Sequence, residues 1–248
     1  MTEETPAPFA PLDEDWQRAL AVVAHPDDME YGAAAAVARW TGQGKTVVYA
    51  MVSSGEAGID ALDPAECGPL REAEQIASAA LVGVDTVEFL RHPDGVLEYG
   101  LPLRRDIARL VRRHRPEIVI TTNFRETYGG VFPNQADHIA TGRATLDAVR
   151  DAGNRWVFRE LTAEGLEPWG GVRQVWAAGS PDAGHAVDTT ATFEAGVASL
   201  EAHAAYLAGL GGGPMGDARG VLESIGRGSG SRLGSTFAAA FEVINLTF

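Results

Sequence analysis

A run of small apolar residues, Leu20-Ala21-Val22-Val23-Ala24, leads directly into His25-Pro26-Asp27-Asp28-Met29-Glu30, and the alanine-rich segment 32–40 follows at once. An apolar run this short, without polar alternation and stopped by a proline, fits a strand buried on both faces of a parallel sheet. The alanines fit a helix. Strand, sharp turn and helix therefore succeed one another. The turn carries a histidine and two adjacent carboxylates to the carboxyl end of the strand, which is where open α/β sheets place their ligands.

The pattern recurs along the chain. Residues 46–52, 86–90, 118–122 and 172–178 read as further strands, and helical segments at 69–81, 101–114, 135–149 and 193–207 alternate with them. In the segment 101–114, Leu103, Ile107, Leu110 and Val111 fall at near-helical spacing among arginines, as on a surface helix with one buried stripe. The run 237–248 reads as a last strand. Strands joined by helices imply right-handed crossovers, and the expected strand order is third, second, first, fourth, fifth. The fold predicted is α/β: a Rossmann-like, doubly wound, mostly parallel sheet with helices on both faces, in a single domain over residues 1–248. Residues 1–15 are expected to form a flexible arm. The glycine-rich stretch 209–234, with Arg219, Arg227 and Arg232 set among glycines, is expected to be a loop or a flap.

Charge and cysteine content restrict the partners. Lys+Arg total 20 against 34 Asp+Glu, a formal charge of −14, which argues against nucleic acid or an anionic membrane surface. Cys67 is the one cysteine, so a metal would have to be held by histidines and carboxylates. The acidic, proline-rich start lacks the features of a secretion signal. No apolar run approaches the ~20 residues of a membrane span. A cytoplasmic protein is expected, with a homo-oligomer left open.

The first turn admits two readings. In one, Asp27 caps the following helix and Glu30, three residues on, completes a capping box, leaving His25 as a core histidine. In the other, His25 and Asp28 bind a metal while Asp27 serves as a base. Spacing alone leaves both open. The strand order adds one consideration: the loop after the fourth strand, 123–134, ends at Gln135-Ala136-Asp137-His138, so His25 and His138 would face each other across the crevice. Two histidines and a carboxylate form an open zinc set.

Taken together, Ala24-His25-Pro26-Asp27-Asp28-Met29-Glu30, Ser54-Gly55-Glu56-Ala57-Gly58, Arg71 with Glu74, Pro93-Asp94-Gly95, Asp137-His138 and residues 199–203 ending in His203 resemble, in order, the motifs of the LmbE-like (PIG-L) zinc deacetylases. This resemblance implies one Zn²⁺ held by His25, Asp28 and His138, with Asp27 as general base and with Arg71 and Asp94 on sugar hydroxyls. It implies removal of an N-acetyl group from an N-acetylglucosamine-type conjugate. Two alternatives are an amidase acting on a larger acyl group and a catalytically silent metal- or sugar-binding member.

The chain departs from the family pattern twice. Gln135 stands where the family usually has a histidine that stabilises the oxyanion or protonates the leaving amine. An amide can donate a hydrogen bond but does not deliver a proton at neutral pH, so Gln135 is assigned the oxyanion role. Ala205-Tyr206 replaces the serine-glutamine pair expected after His203.

Overall fold

The structure, a computed structural model, describes residues 7–246. Its main sheet is built from β1 (Ala10–Pro11), β2 (Arg18–Val23), β3 (Thr46–Met51), β4 (Thr86–Phe89), β5 (Ile118–Thr122), β8 (Gln174–Ala178), β9 (His185–Asp188) and β10 (Ala238–Asn245). The two short strands β6 (Thr127–Tyr128) and β7 (Phe132–Pro133) form a separate hairpin. Across the main sheet the order is β4-β3-β2-β5-β8-β10-β9-β1. The pairs of β2 with β3 and β5, of β3 with β4 and of β5 with β8 are parallel, and β10 is antiparallel to both its neighbours. The five strands expected from the sequence lie in the expected order. The chain winds outward from β2 to β4, returns to β5 and continues the other way, so the loops after β2 and β5 diverge over a crevice.

Burial explains why β2 is central. Ala19, Ala21 and Val23 face one core and Leu20, Val22 and Ala24 the other, all at most 2% exposed. The first core is filled by aromatic residues, with Trp16 and Trp176 packed around Trp40 at centroid distances of 5.3 and 5.6 Å. It is covered by α1 (Asp28–Gly32), α2 (Ala34–Gly42) and α3 (Pro64–Leu81). The second lies under α4 (Leu101–His114) and α5 (Ala136–Gly153), where Leu103, Ile107, Leu110 and Val111 make the buried stripe read from the sequence.

Three segments differ from expectation. The helix expected over 193–207 breaks at His203 into α7 (Phe193–Glu201) and α8 (Ala204–Gly209), following the short α6 (Arg159–Ala163) earlier in the chain. The glycine-rich stretch 209–234 is mostly neither loop nor flap: after a 3₁₀ turn at Pro214–Gly216 it forms α9 (Ala218–Leu233), capped by Asp217, whose side chain accepts from Gly220 N–H. Gly230 serves close approach, since a β-carbon there would come within 2.7 Å of the Ser235 and Thr236 carbonyl oxygens. The expected arm is held at residues 7–15, because β1 pairs with β9 and Phe9 and Leu12 are buried. Residues 1–6 of that arm, and 247–248 of the expected last strand, lie outside the described residues.

Candidate metal centre and active site

The loop leaving β2 brings His25, Asp27 and Asp28 to the crevice, and the first turn of α5 brings Asp137 and His138 from beyond β5. Ligand atoms of His25, Asp28 and His138 all lie within 4.8 Å of one another, and all three residues are buried. His138 Nε2 is 3.0 Å from Asp28 Oδ1, yet it is a buried atom without a hydrogen-bond partner. His25 Nδ1 is 3.7 Å from Asp28 Oδ2.

The partners on the far side of each ring fix its tautomer. His138 Nδ1 lies 2.9 Å from Asn134 Oδ1, an atom that only accepts, so Nδ1 carries the proton and Nε2 presents its lone pair. Tyr128 Oη adds a contact to the same nitrogen at 3.2 Å. His25 Nε2 faces Asp94 Oδ1 at 3.0 Å and Asp137 Oδ2 at 3.3 Å, both carboxylate oxygens, which leaves Nδ1 free toward Asp28. Asp137 is itself fixed by the Gly95 and Leu97 N–H groups, at 2.7 and 3.0 Å. An imidazole ordered from behind by a carboxylate is the usual arrangement of a metal-binding histidine.

The electrostatics agree with this donor set. Asp28, Asp94 and Asp137 surround the two histidines while Arg71 pairs with Asp27 alone, and burying such an excess of carboxylates is costly without a further cation. Burial alone would lower the His25 pKa, but Asp137, Asp28 and Asp94 outweigh it and hold the imidazole well above its usual range. Burial would raise Asp28, yet His138 and His25 keep it well below the ordinary carboxylate value. In both cases the negative surroundings favour positive charge at this point. The residues thus fit a divalent ion on geometry, tautomer and charge.

Asp27 is set apart from the trio. Its backbone is left-handed, φ 93°, a conformation that costs a non-glycine residue free energy and persists only where neighbours enforce it. Gln75 Oε1 accepts the Asp27 N–H at 2.9 Å, and Arg71 Nη2 donates to Asp27 Oδ2 at 2.8 Å. The side chain makes no capping hydrogen bond, and Glu30 is drawn inward to Gln75 and Ser78, so the capping-box reading fails. Burial raises the Asp27 carboxyl to about 6, with Arg71 opposing the shift.

Arg71 is only 2% exposed and also donates to the carbonyls of Gly55 and Pro26. Gly55 and Gly58 cradle it, because a β-carbon at either would collide with the guanidinium. Tyr206 stacks on it, 4.2 Å from guanidinium carbon to ring centroid. Asp94 is engaged as well, its second oxygen accepting from Ala57 N–H at 2.9 Å. Both residues line the crevice, and both also have a structural duty that the sequence did not reveal. Gln135 is the exposed residue preceding α5, and its backbone N–H donates to Asn134 Oδ1. His203 is buried 3.7 Å from Glu30, behind the site. Asn134, Tyr128, Gln75 and Tyr206 were not singled out from the sequence as site residues. Asp137 was noted only as part of a motif.

Two cavities meet at this cluster. The smaller, about 230 Å³, is polar and includes His25, Arg71 and Asp94; the larger, about 560 Å³, is mainly apolar and includes His138. Asp27, Asp28, Gln135 and Tyr206 line both.

A doubly wound sheet with a buried His/Asp/His cluster at its switch point defines an α/β protein equipped to hold a divalent ion beside a further buried carboxylate. Residues 20–149 match the family described as PIG-L, GlcNAc-PI de-N-acetylase, and the chain belongs to that family. A diacetylchitobiose deacetylase of Thermococcus kodakarensis is 29% identical over 156 residues, covering 62% of this chain and 57% of its own length. The chain spans about half the length of the curated relatives it matches. Among solved structures, an N,N'-diacetylchitobiose deacetylase from Pyrococcus horikoshii has a similar fold, with a TM-score of 0.82 at 20% identity, covering 94% of this chain and 85% of that one. A 4-carboxy-2-hydroxymuconate hydratase from Pseudomonas putida KT2440 is also similar, with a TM-score of 0.74 at 19% identity over 94% and 98% of the two chains. The fold therefore accommodates more than one reaction, and residues must decide which.

Proposed function

We propose that the chain is a Zn²⁺-dependent amide hydrolase that removes an N-acetyl group from an N-acetylglucosamine-type sugar conjugate. The observation that carries this reading is His138 Nε2, buried and unpartnered, facing Asp28 and His25 next to a carboxylate held apart from them. The names of the family and of the diacetylchitobiose deacetylase supply the substrate class. No helix among the described residues is long and apolar enough to cross a membrane, and we place the protein in the cytoplasm.

His25, Asp28 and His138 would hold the ion, which when bound lowers the pKa of a water toward ~7 and polarises the amide carbonyl. Asp27, ionised and fixed by Arg71 and Gln75, takes a proton from the attacking water. The hydroxyl adds to the carbonyl carbon, and the Gln135 amide N–H donates to the oxygen that becomes negative. Asp27 then returns its proton to the nitrogen as the C–N bond breaks, giving an amine and a carboxylate. Arg71 and Asp94 line the polar cavity on the sugar side.

Metal analysis together with acetate release over a panel of N-acetylamino sugar conjugates tests the proposal. Stoichiometric zinc without acetate from any member would overturn it. Gln135, in the place of a histidine, favours a catalytically silent member as the second reading, and its signature would be stoichiometric zinc with no carboxylate released from any N-acyl amino sugar.

A further inference from the structure

Three residues of the sequence motifs have no part in the chemistry above, and they converge behind Asp27. Glu30 stands on α1, Ser199 on α7, and His203 at the break between α7 and α8. Glu30 is 1% exposed, and Gln75, Ser78, Ser199 and His203 are fully buried. None of these five residues lines either cavity at the metal cluster.

Their contacts run in one line from α7 to the Asp27 backbone. Ser199 Oγ donates to the Ser78 carbonyl at 3.2 Å and lies 2.8 Å from Ser78 Oγ, which donates to Glu30 Oε1 at 2.9 Å. Gln75 Nε2 donates to the same carboxylate oxygen at 3.0 Å, while Gln75 Oε1 accepts the Asp27 N–H at 2.9 Å. The carboxylate only accepts, so it takes the N–H end of the Gln75 amide and turns the carbonyl end to Asp27. A flipped amide would set donor against donor at Asp27.

Glu30 is held in turn by His203. Glu30 Oε2 and His203 Nε2 are both buried without a hydrogen-bond partner, and they face each other at 3.7 Å. A buried carboxylate is costly unless it is paired. Burial alone would lower the His203 pKa, but Glu30 and then Asp27 raise it above the usual histidine value, favouring the cationic ring opposite that oxygen. Asp27 needs this support, because its φ of 93° persists only where neighbours over-determine it.

We propose that His203 is a positioning residue for the general base: acting through Glu30 and Gln75, it keeps Asp27 in its left-handed conformation beside the metal ligands. The C-terminal motif then serves the turn after β2 and not the substrate. The inference rests on the amide-hydrolase reading, in which Asp27 is the base.

The test uses the zinc-loaded full chain and the methyl glycoside of N-acetylglucosamine. His203→Leu should lower kcat by roughly 10–100-fold, as small misplacements of a catalytic group do, with KM and zinc stoichiometry retained. His203→Gln, whose amide N–H can still donate to Glu30, should recover most of the loss. Gln75→Met, similar in shape but without the hydrogen bonds, should reproduce the His203→Leu behaviour. In both impaired proteins, hydrogen exchange read by NMR should accelerate at the Asp27 amide and stay at the wild-type rate in β2. Undiminished kcat in His203→Leu, a loss accounted for by missing zinc, or no recovery in His203→Gln would overturn the inference and leave the amide-hydrolase reading intact. Should His203→Leu not fold, Gln75→Met carries the comparison, since undiminished kcat there breaks the same line. If the wild-type protein releases no acetate, that reading falls, and exchange at the Asp27 amide in His203→Gln and Gln75→Met decides whether this line holds the turn.

Discussion

His138 Nε2 lies 3.0 Å from Asp28 Oδ1 without forming a hydrogen bond to it. A lone pair held beside a carboxylate in a buried site is unfavourable unless a cation joins them. Purified protein is therefore expected to carry about one divalent ion per chain, and His25→Ala with His138→Ala should abolish it. Stoichiometric metal in the double variant, read by elemental analysis, would remove this trio as the ligand set.

The carboxylate behind His25 gives a second prediction. Asp137→Asn keeps the shape but weakens the acceptor opposite Nε2–H, and losses of about 10–100-fold in metal affinity are typical for such partners. Competition with a chelator measures this. An unchanged affinity would mean that Asp94 alone orients the ring.

The neighbouring aspartates should separate functionally. Asp27→Asn is expected to retain metal while turnover falls by roughly 10²–10⁴, the usual worth of a general base. Asp28→Asn should lose the metal itself. Full turnover by metal-saturated Asp27→Asn protein would return this residue to a structural role.

The pH profile follows from the Asp27 carboxyl, raised to about 6 by burial and opposed by Arg71. A base must be ionised, so kcat/KM should fall as pH drops through its pKa and level off above it. A bound cation next door favours the ionised form, so the midpoint should lie at or below about 6. Arg71→Gln removes a cation that favours the carboxylate, and should move the acidic limb upward in pH. A limb that shifts downward would contradict the assignment.

Gly230 is a stability prediction. Glycine to alanine within a helix ordinarily gains up to about 1 kcal/mol. Here the added carbon would meet two backbone carbonyls at 2.7 Å, and overpacking of that kind costs about 1–3 kcal/mol. Gly230→Ala should therefore lower the melting temperature. A rise would show that the Ser235–Thr236 turn yields easily.

Legibility in the sequence followed the physics of each part. The central strands were readable because burial on both faces forces continuous apolar runs such as Leu20–Ala24, and the order of strands placed His25 opposite His138 before any distance was known. Four-residue β9, His185-Ala186-Val187-Asp188, has too little pattern to stand out. Helix α9 was hidden because its glycines lower helix propensity, and two of them, Gly226 and Gly230, are there so that the chain can fold straight back on the helix at residues 235–237, a return that no spacing encodes. The loop 123–134 stood out by its length and aromatic content, but Asn134 and Tyr128 could not be told from its other residues, because their importance lies in which nitrogen of His138 they meet and no spacing encodes that.

The place of β10 between β8 and β9 has a consequence for biosynthesis. When β8 leaves the ribosome its outer edge has no neighbour, and the strand that will cover it is about sixty residues away. At roughly 5–20 residues per second, several seconds pass with that edge open. Strands β9 and β1 cannot join the sheet during this interval either, because among the described residues β10 is their only bridge to it. The nascent chain thus exposes an unpaired strand edge to its neighbours, and slowed translation beyond Ala178 should increase aggregation more than slowed translation before Ile118.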